Sequence, residues 1–270
     1  MSAPAAVYVL AKNEAPNIGR CLTALAPSGL PVVVLDSGSV DATPEIARQF
    51  PNVTVRPYRY RSHCDAYNEI TGWHSRPEIV IILDADMRAD GALIDAIETS
   101  FEKDPRLEAV VAPVTMYWEG QPVPRSSLYP PKPLAFRGGA AYFEPAGHGE
   151  RLRTGVRATQ VDARLVHDDR KPYDQVLANQ WRYAGDMVRR SLVGGLSWRD
   201  RLRMRSPIGM LLAPVYSYFV KGGFLDGPGG RLYALDRLIA EALAHRAAIS
   251  PLVKEKLSAG DASGRRSGRS

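Results

Sequence analysis

The strongest constraint on the fold is an alternation of strand and helix patterns over residues 5–115. Short apolar runs rich in β-branched residues occur at residues 6–11, 31–35, 53–56, 78–83 and 107–114. Between the first two runs, Ile18, Cys21, Leu22 and Leu25 recur at the spacing of one helix face. Strands that alternate with helices predict an α/β fold with a mostly parallel central sheet flanked by helices.

The second half of the sequence departs from this alternation. Residues 117–133 contain five prolines and predict a long loop. Beyond the loop, apolar patterns predict strands at residues 134–143 and 159–166, and helices at residues 173–192, 208–220 and 232–249. We therefore expect a helical C-terminal extension after the sheet.

Composition and targeting signals favour a cytoplasmic protein. The two cysteines, Cys21 and Cys64, are too few for a disulfide scaffold and lack the spacing of a metal site. No basic segment precedes the apolar N-terminal stretch, as it would in a secretory signal. The longest apolar run, residues 207–220, is shorter than the about 20 residues that a membrane-spanning helix needs.

The net charge of +6 is concentrated in one stretch, since residues 182–205 contain seven arginines and two acidic residues. Such a block is typical of a surface for anionic lipid headgroups or phosphorylated substrates, or else of a solvated helix face. No nucleic-acid-binding motif accompanies it, so we expect no nucleic acid partner. The apolar residues 208–220 that follow either lie in a membrane interface as a shallow anchor or pack as an ordinary core helix.

Three polar clusters follow predicted strands, at residues 12–14, 36–41 and 84–86. The carboxyl ends of parallel strands meet at one edge of a sheet, and ligands bind there in folds of this class. Asp84 and Asp86 place two carboxylates close together, which is costly unless a cation neutralises them. Mg²⁺ or Mn²⁺ would do so and would bridge to phosphate oxygens, whereas an acidic turn that caps the next helix is the alternative.

The three clusters, in this order and spacing, resemble the family 2 glycosyltransferases, whose fold is of the nucleotide-sugar-binding GT-A type. Residues 9–14 (VLAKNE), 33–43 (VVLDSGSVDAT) and 82–86 (ILDAD) carry the resemblance. Residues 147–150 (GHGE), 165–171 (LVHDDRK) and 222–227 (GGFLDG) resemble one branch of that family. The branch consists of small bacterial enzymes that add sugars to the lipopolysaccharide core or to other envelope glycans.

The resemblance implies a role for particular residues. Asp86 would ligate Mg²⁺ or Mn²⁺, and His167 would supply a second metal ligand or a phosphate contact. The family often has a basic residue before the position of Asn68, where this chain has Tyr67, so Arg59 and Arg61 are candidates to replace it. The residues implied in binding the donor nucleotide are Lys12, Glu14, Asp36, Ser37, Asp41, Asn68 and Asp84.

The resemblance also implies a reaction that inverts the anomeric centre. A single displacement of this kind needs one general base on the acceptor hydroxyl. Glu150 lies in the segment that resembles the acceptor-side motif of the family, and His148 is the alternative. The implied donor is a nucleotide-diphosphate sugar, with a UDP-sugar expected, and the implied acceptor is an envelope glycan or a lipid-linked sugar. Such an acceptor would bring the protein to the inner face of the cell membrane as a peripheral protein.

Two other functions compete with this interpretation. A nucleotidyltransferase acting on sugar phosphates would carry a glycine-rich basic loop after the first strand, which Lys12–Pro16 lacks. A non-catalytic scaffold of polysaccharide assembly is disfavoured by the intact Asp84 and Asp86.

The expected domain organisation follows the same resemblance. Residues 1–170 would form a glycosyltransferase domain, with a nucleotide-sugar half at residues 1–115 and an acceptor half at residues 116–170. Residues 171–257 would form the helical extension. Residues 258–270 are almost free of apolar side chains and predict a disordered tail.

Overall fold

A computed structural model of the protein describes residues 5–73, 77–139, 142–146, 149–192, 201, 204–253 and 255, with the backbone alone at residues 145, 146, 149 and 150. The chain divides into two compact units. Unit 1 comprises Met1–Pro122 and Tyr129–Lys171, and unit 2 comprises Val123–Leu128 and Pro172–Ser270.

Unit 1 contains every strand of the described chain. In chain order these are β1 (Ala5–Ala11), β2 (Val32–Asp36), β3 (Val53–Pro57), β4 (Ile79–Asp84), β5 (Met87–Arg88), β6 (Ala109–Ala112), β7 (Val114–Trp118), β8 (Gln121–Pro122), β9 (Lys132–Arg137), β10 (Phe143–Ala146), β11 (Gly149–Leu152), β12 (Ala158–Gln160) and β13 (Leu165–His167). Its helices are α1 (Ile18–Leu25), α2 (Thr43–Ala47), α3 (His63–Gly72) and α4 (Gly91–Lys103).

The main sheet of unit 1 has the strand order β12-β6-β9-β4-β1-β2-β3. Strands β4, β1, β2 and β3 run parallel, whereas β9 is antiparallel to both β4 and β6. A four-stranded sheet, β5-β13-β7-β8, and the hairpin β10-β11 complete the unit. The predicted α/β class with a mostly parallel sheet is confirmed.

Two hydrophobic cores cover the faces of the main sheet. Side chains alternate along a strand, so Val7 and Val9 of β1 enter one core and Tyr8 enters the other. The first core holds the apolar sides of α1 and α4, and the second holds that of α3. Strand β4 is buried along Ile79–Leu83, as its unbroken apolar sequence predicts for a strand covered on both faces.

The prolines of this region do not all lie in a loop, although the sequence predicts one long loop at residues 117–133. Pro113 separates β6 from β7, which belong to different sheets, so the strand predicted at residues 107–114 is two strands. The predicted loop at residues 117–133 contains β8 and the first residues of β9. Pro133 is tolerated inside β9 because its partner, Val111, lies at a register shift between β6 and β9, where proline disturbs the sheet least.

Unit 2 is helical, as expected for the C-terminal extension. Its described helices include α5 (Tyr173–Leu192), α6 (Gly209–Val215) and α7 (Gly227–Ile249), with a π-helical turn at Tyr216–Val220 and a 3₁₀ turn at Gly223–Asp226. A small core of its own contains Ala184, Met187 and Val188 from α5 and Ala244 and Ala247 from α7. Within the described residues, no helix has both the length and the apolar character needed to cross a membrane. The tail predicted at residues 258–270 lies outside the described residues.

Candidate active site

The loops that follow β1 and β2 are joined by hydrogen bonds at the carboxyl edge of the sheet. The backbone N–H of Asn13 donates to Ser39 Oγ at 2.9 Å, and the N–H of Val40 donates to Asn13 Oδ1 at 2.9 Å. Asn13 has a φ of 54°, a left-handed conformation that asparagine adopts more readily than most residues. The clusters predicted at residues 12–14 and 36–41 therefore lie together.

Asp41 holds the same two loops from the other side. Its Oδ2 accepts from the N–H of Ala15 at 3.0 Å, and its Oδ1 accepts from the N–H of Thr43 at 3.1 Å. Partial burial would raise the pKa of Asp41, but the hydrogen bonds from Thr43 and Ala15 outweigh it and lower the pKa. The Asp41 carboxylate therefore connects the loop after β1 to the loop after β2 through hydrogen bonds.

Asp36 shapes a cleft at this edge. Its Oδ2 accepts from the N–H groups of Gly38 at 3.2 Å and Ser39 at 3.1 Å, which fixes the turn after β2. The cleft has a volume of about 640 Å³. It is lined by Lys12, Asp36, Ser37, Gly38, Pro57, Tyr58, Arg59 and Tyr60. Three residues expected to bind the donor, Lys12, Asp36 and Ser37, therefore share one cleft with Arg59.

The short strand β5 brings His167 beside Asp86. β5 pairs with β13 so that Met87 lies opposite His167, and the N–H of Asp168 donates to the carbonyl of Asp86 at 3.0 Å. His167 Nε2 then lies 3.1 Å from Asp86 Oδ2. The two residues expected to bind a metal are thus adjacent, although 81 positions separate them in the chain.

Burial and charge act in opposite directions on this pair. Burial would raise the pKa of Asp86, but His167 outweighs it, so the pKa of Asp86 is lowered. Burial would lower the pKa of His167, but Asp86 outweighs it, so the pKa of His167 is raised. Asp86 Oδ1 is buried and has no hydrogen-bond partner within the described part of the chain. A buried carboxylate oxygen in this state has capacity for a further ligand.

Asp84 faces two basic side chains that sequence reasoning missed. Lys132 Nζ donates to Asp84 Oδ2 at 2.9 Å, and His63 Nδ1 lies 3.8 Å from Asp84 Oδ1. Burial would raise the pKa of Asp84, but Lys132 and His63 together lower it to about 2. The Lys132 ammonium lies over the Tyr67 ring, 5.4 Å from its centroid.

Glu14 is half-buried in a second ionic cluster. Lys171 Nζ lies 2.7 Å from Glu14 Oε1, and Asn17 Nδ2 donates to Glu14 Oε2 at 2.9 Å. Burial and the negative charge of Asp86 raise the pKa of Glu14 to about 7, against the lowering effect of Lys171. Asn17 Nδ2 also donates to Asp169 Oδ1 at 2.8 Å, so this cluster joins α1 to the segment after β13.

Asp168 anchors the segment that carries His167. Its side chain is 1% exposed and accepts from Arg20, from Arg170 Nε at 2.7 Å and from Arg88 Nη2 at 3.5 Å. Burial would raise the pKa of Asp168, but hydrogen bonds from Arg170 and Arg20 outweigh it and lower the pKa. Three guanidinium groups around one buried carboxylate fix the backbone next to His167.

Three residues of the predicted site are not placed among these groups. The side-chain amide of Asn68 is occupied by the backbone of Phe143, accepting from its N–H at 2.9 Å and donating to its carbonyl at 3.0 Å. Glu150 lies in β11, where its backbone pairs with Pro145 of β10, and its side chain is outside the described atoms. His148 lies outside the described residues.

Three charged or basic residues of the site, Lys171, Lys132 and His63, were not predicted, and they differ in how far the sequence indicated their position. Lys171 ends the segment 165–171 that was already singled out, so its proximity to the site could have been inferred. Lys132 stands between prolines in a predicted loop, and nothing in that context predicts a buried lysine. His63 is the first residue of α3 and shows no motif of its own.

The described residues include no group of three or more His, Cys, Asp or Glu side chains arranged to hold a metal ion. The Asp86–His167 pair supplies one carboxylate and one imidazole. Hard divalent cations commonly take only one or two protein carboxylates and complete their coordination with water and phosphate oxygens. A two-residue site is therefore compatible with a cation that is bound together with a phosphate-bearing ligand.

Comparison with known proteins identifies one family. The model of the family described as Glycosyl transferase family 2 matches residues 6–160. No curated protein sequence gives a significant match.

Two solved structures show distant similarity to the chain. A mannosyltransferase from Pyrobaculum calidifontis, in complex with GDP-Man and Mn²⁺, is 23% identical with a TM-score of 0.48, over 97% of this chain and 80% of that one. Glucosyl-3-phosphoglycerate synthase from Mycobacterium tuberculosis, in complex with Mn²⁺, UDP and glucosyl-3-phosphoglycerate, is 16% identical with a TM-score of 0.45. That match covers 64% of this chain and 75% of the synthase.

Proposed function

The chain belongs to glycosyl transferase family 2, and we propose that it transfers a sugar from a nucleotide-diphosphate donor to a hydroxyl group of an envelope glycan or lipid-linked acceptor. The observation that carries the proposal is the adjacency of Asp86 and His167 at the carboxyl edge of the sheet that also forms the cleft around Asp36. A phosphate-binding cation and a nucleoside would then be held at the same edge.

Asp86 and His167 are the residues that would hold the metal, Mg²⁺ or Mn²⁺. The unpartnered Asp86 Oδ1 and the nearby imidazole suit a divalent cation, which accepts carboxylate oxygen and can accept neutral imidazole nitrogen. Such a cation neutralises the charge that develops on a departing diphosphate. Asp84 is held by Lys132, so its carboxylate is oriented and ionised beside that position.

The cleft lined by Lys12, Asp36, Ser37 and Arg59 is the proposed site of the donor nucleoside, for which we propose uridine. Asp36 accepts from its own turn, so its carboxylate is fixed before any ligand enters. Lys12 and Arg59 add positive charge that favours a nucleotide over a neutral sugar. Arg61 lies 3.7 Å from Glu69, so Arg59 is the better candidate for the basic residue that is absent before Asn68.

The proposed reaction is a single displacement with inversion. The acceptor oxygen forms a bond to the anomeric carbon while the bond from that carbon to the diphosphate oxygen breaks. The acceptor proton passes to a general base, for which Glu150 and His148 are the candidates. The nucleoside diphosphate leaves with the electron pair of the broken bond. An acceptor anchored in lipid would place this reaction at the cytoplasmic surface of the membrane.

The proposal is tested with a panel of nucleotide sugars. Hydrolysis and thermal stabilisation are measured with each donor, in the presence of Mn²⁺ and in excess chelator. We expect one or a few donors, UDP-sugars among them, to be hydrolysed slowly and to raise the Tm only when the metal is present. Stabilisation that is equal with and without the metal would contradict the metal assignment. Absence of any response to every donor would contradict the enzymatic assignment.

The general base is tested by comparing Glu150→Gln with His148→Gln. Loss of a general base typically costs about 10²–10⁴-fold in rate. We expect one variant to lose transfer to this extent while its affinity for UDP with Mn²⁺ stays near that of the wild type. If both variants keep full turnover, neither residue is the base.

A further inference from the structure

A stripe of large apolar side chains is exposed along one side of unit 2. The stripe consists of Ile208, Leu211, Leu212, Val215, Tyr216 and Phe219. Successive positions in the stripe are alternately three residues and one residue apart, which is the spacing of one helix face. Ile208 is 73% exposed and Phe219 is 64% exposed. Phe224 and Leu225 extend the apolar surface into the following 3₁₀ turn, with exposures of 52% and 61%.

This segment buries small residues and exposes large apolar ones, which is the reverse of an ordinary surface helix. Gly209, Pro214 and Ser217 are buried, and α6 packs on α7 through this small-residue side. A helix that folds into a core normally buries its large apolar side chains and exposes its polar ones. Within the described chain the large side chains remain in contact with solvent, so burial within unit 2 does not explain their apolar character. Contiguous exposed apolar surface of this kind marks an interaction site.

The charges around the stripe indicate which partner it fits. Between Arg205 and Leu225 the sequence contains two basic residues, Arg205 and Lys221, and no acidic residue. Asp226, the next acid along the chain, is occupied by the N–H groups of Arg125 at 3.1 Å and Ser126 at 2.8 Å. Exposed arginines at positions 201 and 205 precede the stripe. An apolar helix face bordered by cations and free of anions is complementary to an anionic lipid surface.

We propose that this stripe, with Phe224 and Leu225, docks unit 2 on an anionic bilayer, its apolar side chains entering the boundary between headgroups and acyl chains. The segment is too short to span a bilayer, so it would lie in the plane of the interface. This inference deepens the membrane placement in the proposed function and specifies the surface responsible. Its support comes from the exposure and charge of unit 2 and requires no assumption about the transfer reaction.

The test measures cosedimentation of the full chain with vesicles of phosphatidylcholine and phosphatidylglycerol, and with vesicles of phosphatidylcholine alone. Binding needs no donor and no acceptor, so a failure here is distinguishable from a failure of the proposed activity. Leu212→Gln combined with Phe219→Gln removes apolar groups from the stripe, and we expect the partition coefficient to fall about tenfold or more. Leu252→Gln is the control, because Leu252 is 77% exposed in unit 2 but lies outside the stripe.

The contribution of charge is tested by Arg201→Gln combined with Arg205→Gln. We expect weaker binding to the anionic vesicles and little change with phosphatidylcholine, and an effect that shrinks as salt shortens the Debye length to about 3 Å at 1 M. Arg48→Gln combined with Arg106→Gln removes two exposed arginines of unit 1 and should leave binding unchanged. Far-UV circular dichroism and thermal unfolding check that each variant is folded.

Three results would overturn the proposal. Wild-type protein could fail to sediment with anionic vesicles at low salt. The double variant with Leu212→Gln and Phe219→Gln could bind the anionic vesicles as tightly as the wild type does. Sedimentation velocity could show a dimer that this variant dissociates, with no vesicle binding, in which case the stripe is an interface between two copies of the chain.

Discussion

At the scale of single residues, Asp86 is the group on which the proposed chemistry depends most. Its carboxylate lies 3.1 Å from His167 Nε2, and its second oxygen has no hydrogen-bond partner within the described chain. Removing its charge deletes a proposed metal ligand and leaves the backbone pairing of β5 with β13 in place.

We therefore expect Asp86→Asn to lower the transfer rate by about 10²-fold or more, since a bound cation contributes several kcal/mol to stabilising transition-state charge. We also expect its affinity for Mn²⁺ to fall. Initial rates measure the loss of transfer, and titration calorimetry with Mn²⁺ measures the loss of affinity. Asp95→Asn is the control, because Asp95 is exposed on α4. Full activity of the Asp86 variant would remove this residue from the metal site.

Asp41 shows how one carboxylate of the site region acts on stability. Its pKa in the folded protein is lowered, because hydrogen bonds from Thr43 and Ala15 outweigh partial burial. A group whose pKa is lowered on folding stabilises the fold above its unfolded pKa, which is about 4. That stabilisation is lost as the pH falls through the lower pKa of the folded state.

We expect Asp41→Asn to be destabilising at pH 6 and to have a smaller effect at pH 3, because below about pH 4 the Asp41 carboxyl of the unfolded wild-type chain is protonated and part of its contribution to stability is lost. Urea unfolding of both proteins at the two pH values measures the difference. An equal loss of free energy of unfolding at both pH values would mean that the charge of Asp41 is not what fastens the loops.

At the scale of the elements, close approach between α7 and the preceding 3₁₀ turn depends on a glycine. A Cβ added at Gly230 would lie 2.0 Å from the carbonyl oxygen of Gly223, far inside any real contact. Gly185, in α5, has nothing within 4 Å of an added Cβ. Gly230 and Gly185 therefore predict opposite results for the same substitution.

We expect Gly230→Ala to destabilise unit 2 by about 2 kcal/mol or more, because the clash is with backbone that cannot move alone. Gly185→Ala should instead stabilise it by about 0.4–1 kcal/mol, since alanine reduces the entropy of the unfolded chain. Thermal unfolding followed by circular dichroism measures both. A Gly230→Ala variant with an unchanged Tm would show that the turn and α7 can separate without cost.

The elements also show how far the sequence could predict this structure. Strands β1, β2 and β4 were predictable because each is a continuous apolar run, and a run of that kind forms a buried parallel strand. Strand β5 has two residues, too few for any periodicity, and the strand predicted at residues 159–166 is two strands, β12 and β13, in different sheets. The pairing of β5 with β13 creates the contact between Asp86 and His167. The burial of Lys132 in a strand could not be predicted for a related reason, because Pro133 follows it and a proline at that position indicates a loop.

At the scale of the whole molecule, each unit has a hydrophobic core of its own. The two cores on the faces of the main sheet consist of residues of unit 1, and the third consists of residues of unit 2. The Asp86–His167 pair and the cleft around Asp36 lie in unit 1, whereas the apolar stripe lies in unit 2. A ligand that binds within one unit should therefore stabilise that unit first.

We expect differential scanning calorimetry to show two transitions that respond to different changes. A ligand that binds only the folded state stabilises it by about 2.7 kcal/mol at a free concentration of 100 times its Kd. UDP with Mn²⁺ at that concentration should therefore raise the Tm of the unit 1 transition. Gly230→Ala should lower the Tm of the other transition and leave the ligand-induced shift intact. A single transition that moves with both changes would mean that the units unfold together, because stability would then be shared across the whole chain.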